Sequence, residues 1–269
     1  MTVVTEPGIY EIPEGEYHAD KALAPELGRS LSVSGAKKVL ACPALFAYER
    51  DHGQAPRDAF DFGTVAHTLI LGKGGDIAVI AADDWRSKAA RDERDAARVD
   101  GLTPILHAEY AKAKAVADAV HAHPVAAAIL EQGEAEKSLY WQDVETGVTR
   151  RGRTDWLRDN AIVDVKTCAD ASPAGFAKAC ATFGYDMQAA WYTDGVEALT
   201  GDRLPFLFIA VEKAAPHLVA VYQLDDFAIE RGTNRNREAL RIYAECESSG
   251  AWPGYSTDIE TLSLPRWAN

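Results

Sequence analysis

The chain of 269 residues has little cysteine, little positive charge and no long apolar run. Apolar stretches such as Leu204–Val211 fall far short of the roughly 20 residues that a bilayer-spanning helix needs. The opening, MTVVTEPGIYEIPEGEYH, lacks the basic start and apolar segment of a secretory signal. The expectation is a soluble, cytoplasmic protein with no membrane partner. The four cysteines, at 42, 168, 180 and 246, form no CxxC pair and match no zinc-finger spacing. They read as reduced, mostly buried thiols rather than disulfides. Lys and Arg number 28 against 41 Asp and Glu, a net charge of −13. That balance argues against a sequence-independent nucleic-acid binder with a broad basic surface. It leaves open an enzyme that holds nucleic acid in one small basic channel and metal ions on carboxylates.

What is present excludes disorder. Hydrophobic residues make up 47%, including six Trp, ten Tyr and eight Phe, ample for a buried core. With no internal repeat or low-complexity linker, one domain over 31–269 is expected behind an irregular N-terminal arm, residues 1–30. Its helical front half covers 31–131, its sheet core 134–224, and a closing helix and tail 225–269. Ser34 is placed to cap a helix over Ala36–Arg50. Further helices are expected over Phe62–Leu71, from Pro104 to about Ala122, and over Pro124–Leu130. The charged stretch 83–100 reads as an exposed helix or mobile segment. Strands are expected at Lys137–Gln142, Thr149–Leu157 and Ala161–Thr167. Helices at 173–181 and 185–200, strands at 205–212 and 217–224 and a helix over Asp225–Ser248 follow. The order β-β-β-α-α-β-β-α implies an α/β or α+β core decorated by N-terminal helices.

The strand Ala161–Thr167 carries the chemistry. Alternation sets Val163 and Val165 on one face and Ile162, Asp164 and Lys166 on the other. A carboxylate and an ammonium thus share one face of an otherwise apolar strand, which is costly unless they are paired or metal-bound. Asp155, one strand earlier, can reach the same gap across the turn Arg158-Asp159-Asn160. An ion pair on a half-exposed strand would account for Asp-x-Lys alone.

The D-x8-D-V-K pattern resembles the core motif of the PD-(D/E)XK nuclease superfamily. The longer stretch RGRTDWLRDNAIVDVKTCADASPAGFAKACATFGYDMQAAWYTDGVEALTG resembles the RecB-like branch, and within it the RecE (exonuclease VIII) type of phage exonuclease. Gln188 and Tyr192 match that branch's Q-x-x-x-Y motif and lie one helical turn apart. SGAKKVLACPALFAYE resembles its opening helix, and FDFGTVAHTLILG its Gly-x-x-x-His helix. The similarity spans about residues 30–200 in consistent order.

The resemblance implies a fold and a site. The fold would be a PD-(D/E)XK core, a central mixed sheet flanked by helices. Asp155, Asp164, His67 and the Val165 backbone carbonyl would hold Mg²⁺ or Mn²⁺, with Glu136 an additional candidate. Lys166, Asp164, Asp155, Gln188 and Tyr192 would form the catalytic set. Ser34, Lys37, Lys38, Arg151 and Arg153 are candidate DNA contacts, and Arg150 and Arg158 also border the proposed site. The implied activity is exonucleolytic hydrolysis from double-strand DNA ends, 5′ to 3′, leaving 3′ single strands for phage-type recombination. A homo-oligomeric ring, a single-strand annealing protein as partner and, for a phage protein, the host cytoplasm are implied with it. Two other readings remain: a RecB-like nuclease for single-stranded or flap DNA, and a non-catalytic DNA-end binding scaffold. Only Cys246 lies in the C-terminal region, so the iron–sulfur cluster of some related nucleases is not expected. No P-loop occurs, which favours a stand-alone nuclease over a motor.

Overall fold

The computed structural model describes residues 3–20, 22–53 and 58–264. The chain begins with strand β1 (Gly8–Tyr10), helix α1 (Glu14–His18), strand β2 (Ser30–Ser32) and helices α2 (Val33–Ala41), α3 (Pro43–His52) and α4 (Asp58–Leu71). Strand β3 (Ile77–Ile80), helix α5 (Lys88–Val99), strand β4 (Thr103–Leu106) and helices α6 (His107–Ala122) and α7 (Pro124–Leu130) follow. Five strands come next: β5 (Glu134–Ala135), β6 (Ser138–Gln142), β7 (Thr149–Arg153), β8 (Trp156–Arg158) and β9 (Ala161–Cys168). Helices α8 (Pro173–Phe183) and α9 (Tyr185–Thr200), strands β10 (Phe206–Glu212) and β11 (Val219–Gln223) and helix α10 (Asp226–Ser249) complete the order.

The central sheet has the order β11-β10-β9-β8-β5 and is mixed, with β9 parallel to β10 and the other pairs antiparallel. Both faces are covered, which is why β9 and β10 read as near-continuous apolar runs. Ile162, Phe206 and Phe208 pack beneath α2, α9 and α10 through Val39, Met187, Trp191 and Leu240. Val163, Val165 and Ile209 face the opposite way, onto Val65 and Ile70 of α4 and Val116 and Val120 of α6. Each such fully buried side chain contributes about 1.5–3 kcal/mol relative to exposure. The result is an α/β fold with a mixed sheet between helical layers, as the sequence leads one to expect.

Several expected elements differ. Thr149–Leu157 is not one strand: β7 pairs with β6 in a second sheet of order β1-β6-β7-β2, while β8 pairs with β9 in the central sheet. The chain changes sheets at Thr154-Asp155. The expected helix over Ala36–Arg50 is two helices, because Pro43 opens α3 at its first turn and Cys42 between them is extended. Its cap is Ser32, whose side chain accepts from the Gly35 N–H at 3.2 Å; Ser34 lies inside the helix. Pro104 belongs to β4, parallel to β3, and α6 starts only at His107. Pro is tolerated there because a two-stranded sheet has an open edge for the missing N–H.

Residues 3–20 and 22–30 do not form an irregular arm. β1 pairs with β6, and Val4, Ile12, Tyr17, Ala22 and Leu23 build a small core against Tyr140. The stretch 83–100 contains the ordered helix α5, capped by Ser87. Beyond α10 no regular element occurs among the described residues, and positions 265–269 of the expected tail lie outside them. No helix among the described residues is long and apolar enough to cross a membrane.

Candidate active site

The site lies where β8 begins. β8 and β9 pair in antiparallel register as far as Trp156 opposite Val163. One step further, the same register sets Asp155 against Asp164, at the corner where the chain has just arrived from the other sheet. Beyond this point β9 keeps β10 on one side only. On its open edge the Val165 N–H donates to Asp155 Oδ2 at 2.7 Å, in place of a strand partner. In an extended strand the N–H and C=O of one residue point to the same edge. The Val165 carbonyl therefore faces that edge too.

Helix α4 brings His67 to the same place, since Val65 and Ala66 anchor it in the lower core. Its Nε2 lies 2.6 Å from Asp155 Oδ2. From the upper face, α9 brings Gln188, whose Nε2 donates to Asp164 Oδ1 at 2.6 Å. Lys166 Nζ lies 2.6 Å from Asp164 Oδ2 in a charge contact that lacks hydrogen-bond alignment. Its register neighbour on β10 is the small Ala210, while Asp164 is beside Phe208.

Tyr192 sits deeper. Its hydroxyl accepts from the Arg153 N–H at 3.4 Å, its ring is buried, and it stacks on Phe206 at 6.0 Å and 9°. The ring leaves no room at Gly152, where an added Cβ would meet it at 2.3 Å. In this arrangement Tyr192 holds α9 against β7.

Burial acts on every charge here. It pushes the Asp164 carboxyl up, as does the neighbouring Asp155 charge, and despite Lys166 the pKa reaches about 6. Burial also works to raise Asp155, but the His67 charge and hydrogen bond, Lys166 and the Val165 N–H outweigh it and hold that carboxyl below its ordinary value. For His67 and Lys166 burial favours the neutral form, yet the two carboxylates prevail and raise both pKa values. The two carboxylates differ in their donors: Asp155 Oδ2 receives both His67 Nε2 and the Val165 N–H, whereas Asp164 Oδ2 has no aligned donor.

These residues fit a hard divalent cation. Two carboxylates, an imidazole nitrogen and a carbonyl aimed at the open edge are oxygen- and nitrogen-donor chemistry suited to Mg²⁺ or Mn²⁺. Burial and the neighbouring Asp155 charge keep the Asp164 pKa raised even with Lys166 beside it, so the carboxylate pair has room for further positive charge. Among the described residues no three His, Cys, Asp or Glu side chains already converge as a cage. Instead His67 is bonded to Asp155, and Lys166 contacts Asp164.

Around this floor lies a cleft of about 830 Å³ lined by His67, Asp155, Asp164, Val165, Lys166, Gln188 and Tyr192. Glu136, Ser34, Arg151 and Arg153 also line it. Glu136 has a left-handed backbone, φ 55°, uncommon for a residue with a side chain. Its carboxylate is ion-paired to Arg153 at 2.7 Å. Arg153 also donates to the Ile12 carbonyl at 2.7 Å and the Ser138 hydroxyl at 3.1 Å. Arg151 is ion-paired to Asp20 and donates to Ser30 Oγ at 2.9 Å. Lys37 donates to the Phe183 carbonyl at 2.8 Å, and Lys38 pairs with Glu49 at 2.7 Å beside an adjoining cleft.

Two of the arginines read as bordering the site do not line the cleft. Arg150 is buried between Trp191 and Trp141, 4.1 and 4.8 Å from their ring centres, and faces Asp194 and Asp143. Strand alternation turns it away from the cleft side occupied by Arg151 and Arg153. Arg158 donates to the carbonyls of Ala128 and Ile129 near the end of α7.

Other cleft residues lie outside the set expected from sequence: Glu14, Tyr17 and His18 of α1, Phe183 and Tyr185 at the α8–α9 corner, and Lys213 after β10. The corner carried a signal, two aromatics flanking a glycine between helical patterns. The α1 residues carried none, because pairing of β1 with β6 is a long-range event.

Comparison with known proteins gives a family for the chain and similar folds. A family model described as a PDDEXK-like domain of unknown function (DUF3799) matches residues 32–265. No curated protein matches the chain. A solved structure of a candidate exonuclease from Eubacterium rectale is similar at 15% identity and TM-score 0.67, covering 95% of this chain and 96% of its own. A phage-related exonuclease from Haemophilus somnus 129PT aligns at 11% identity and TM-score 0.35, over 82% and 96% of the two chains. An alkaline exonuclease from Laribacter hongkongensis aligns at 16% identity and TM-score 0.26, over 71% and 94%.

Proposed function

The chain belongs to the PDDEXK-like family DUF3799 and so to the PD-(D/E)XK nuclease superfamily, and we propose that it is a divalent-metal-dependent deoxyribonuclease that digests double-stranded DNA from its ends. The observation that carries this reading is the meeting of Asp155 and Asp164 at the start of β8, with His67 and Lys166 against them. Two buried carboxylates side by side are costly without a cation.

Asp155, Asp164, His67 and the Val165 carbonyl would hold Mg²⁺ or Mn²⁺, the imidazole tilting preference toward Mn²⁺. A bound ion supplies Lewis-acid polarisation of the scissile phosphate and a more acidic water. Asp155, with its lowered pKa, is ionised at neutral pH, and Asp164, at about 6, is largely so. Gln188 fixes the Asp164 carboxylate through its Oδ1. Lys166, kept protonated by both carboxylates, is positioned to orient a water and to stabilise charge building on the phosphate oxygens. No side chain needs to form a covalent link with DNA. Glu136 acts through its pair with Arg153, shaping the cleft wall.

The motif resemblance alone supports the finer parts of this reading: 5′-to-3′ digestion yielding 3′ single strands, a ring-shaped homo-oligomer, and a single-strand annealing protein as partner. The net charge of −13 fits DNA contact confined to one cleft, with an acidic exterior limiting unproductive binding. Digestion of blunt linear duplex, single-stranded and closed circular DNA in Mg²⁺ or Mn²⁺ tests the proposal. Loss of linear duplex with intact circles is expected. Cleavage of circles, or preference for single strands, would overturn the end-directed reading.

A further inference from the structure

The α8–α9 corner places an exposed aromatic ring at the mouth of the cleft. Phe183 is the last residue of α8 and is 59% exposed. It is the one exposed large hydrophobic side chain among the described residues that lines this cleft. A solitary exposed Phe needs no explanation, but this one is built into a rigid support. Its ring rests on Tyr185 at 5.8 Å and 33°, and Tyr185 stacks on Phe208 at 5.7 Å and 29°. Phe208 meets Phe206, and Phe206 stacks on Tyr192. Phe183 is thus the outer end of an aromatic chain rooted in the core.

The corner itself cannot drift. Gly184 ends α8 in the left-handed conformation, φ 63°, and a Cβ there would meet Lys37 Cε at 3.2 Å and an Arg235 nitrogen at 3.6 Å. Lys37 also donates to the Phe183 carbonyl at 2.8 Å, and Lys166 lies 5.0 Å from the Tyr185 ring centre. An exposed aromatic ring beside fixed cations is the combination that takes a nucleobase with its phosphate.

We infer that Phe183 is a stacking site for one nucleobase next to the bond to be cut. The inference rests on the nuclease reading of the cleft and adds a positioning residue to it. A ring can cover only a base face that is free, so the substrate presents a terminal or unpaired base, as a frayed duplex end does.

The test measures affinity of the full chain in EDTA, where no strand is cut, for a short blunt duplex carrying an internal dye. The terminal bases are either intact or removed, leaving abasic sugars. Phe183→Ala is expected to weaken binding of the intact duplex roughly 5- to 150-fold, and Phe183→Trp to restore it. Removing the terminal bases should weaken wild type similarly and Phe183→Ala hardly further, a result that a merely structural role would not give. Phe227→Ala, exposed to 75% on α10 away from the cleft, should change nothing. Affinity within twofold of wild type for Phe183→Ala, losses that multiply, or no binding of either duplex would overturn the stacking site. Digestion by the same preparation in Mg²⁺ or Mn²⁺ reads the nuclease proposal separately. Base-dependent binding without digestion sinks the nuclease and keeps the stacking site; digestion without a Phe183-dependent base effect does the reverse.

Discussion

Gly152→Ala adds one methyl to β7, with no backbone penalty from a positive φ, and isolates the contact that seats α9. The added carbon would lie 2.3 Å from Tyr192 Cε1 and 2.6 Å from Cδ1. Ordinary contact begins at 3.4 Å, so the ring must retreat by about 1 Å. It has little space to do so, being buried and stacked on Phe206, which itself is 4% exposed. Overpacking of this kind costs about 1–3 kcal/mol. Urea unfolding should therefore show a lower midpoint with an unchanged slope. Tyr192→Leu is destabilising too, through lost packing, but combined with Gly152→Ala the losses should fall short of additive because the clash is gone. A Gly152→Ala protein within about 0.5 kcal/mol of wild type would refute the packing argument, and with it the reading of Tyr192 as the residue that holds α9, and hence Gln188, over Asp164.

Other consequences are open to measurement. Gly232→Ala should destabilise at least as strongly as Gly152→Ala, since its Cβ would lie 2.2 Å from the Asp186 backbone oxygen, which no rotamer change can relieve; an unchanged urea midpoint would contradict this. Arg150→Met should lower stability by about 3 kcal/mol by leaving Asp143 and Asp194 without their buried cation, while duplex affinity of the folded protein stays unchanged; a selective loss of affinity would restore Arg150 as a DNA contact. Burial and the Lys166 charge lower the Lys37 pKa to about 8 from 10.5. A Lys held below its unfolded value penalises the native state below pH 8, and the penalty is relieved as pH rises toward 10.5. Wild type should thus gain stability relative to Lys37→Met across that window, and a pH-independent difference between the two urea midpoints would count against it.

The fold was legible where one residue pattern had one structural solution. The alternation of Ile162, Asp164 and Lys166 against Val163 and Val165 identified β9 and its two faces, since a strand buried on both sides must still alternate. Asp155 was legible as a partner of Asp164, but its corner was not. Thr149–Leu157 has the composition of one continuous strand, and only competition between two sheets divides it. Pro104 suits both a helix start and an edge strand, and the choice depended on β3, more than twenty residues away. Ser32 and Ser34 are equally good caps by type, and the geometry at Gly35 selects the first. The placement of α1 against the cleft depends on β1 joining β6, across more than a hundred residues, and no local pattern encodes that.

The most direct measurement is release of labelled nucleotides from linear duplex DNA in Mg²⁺ or Mn²⁺ by wild type, Asp164→Ala and Lys166→Ala, with folding of each checked by its urea transition. The account predicts digestion by wild type and loss of at least a hundredfold in either variant, the order seen when a group stabilising transition-state charge is removed. Full activity in either folded variant would contradict it.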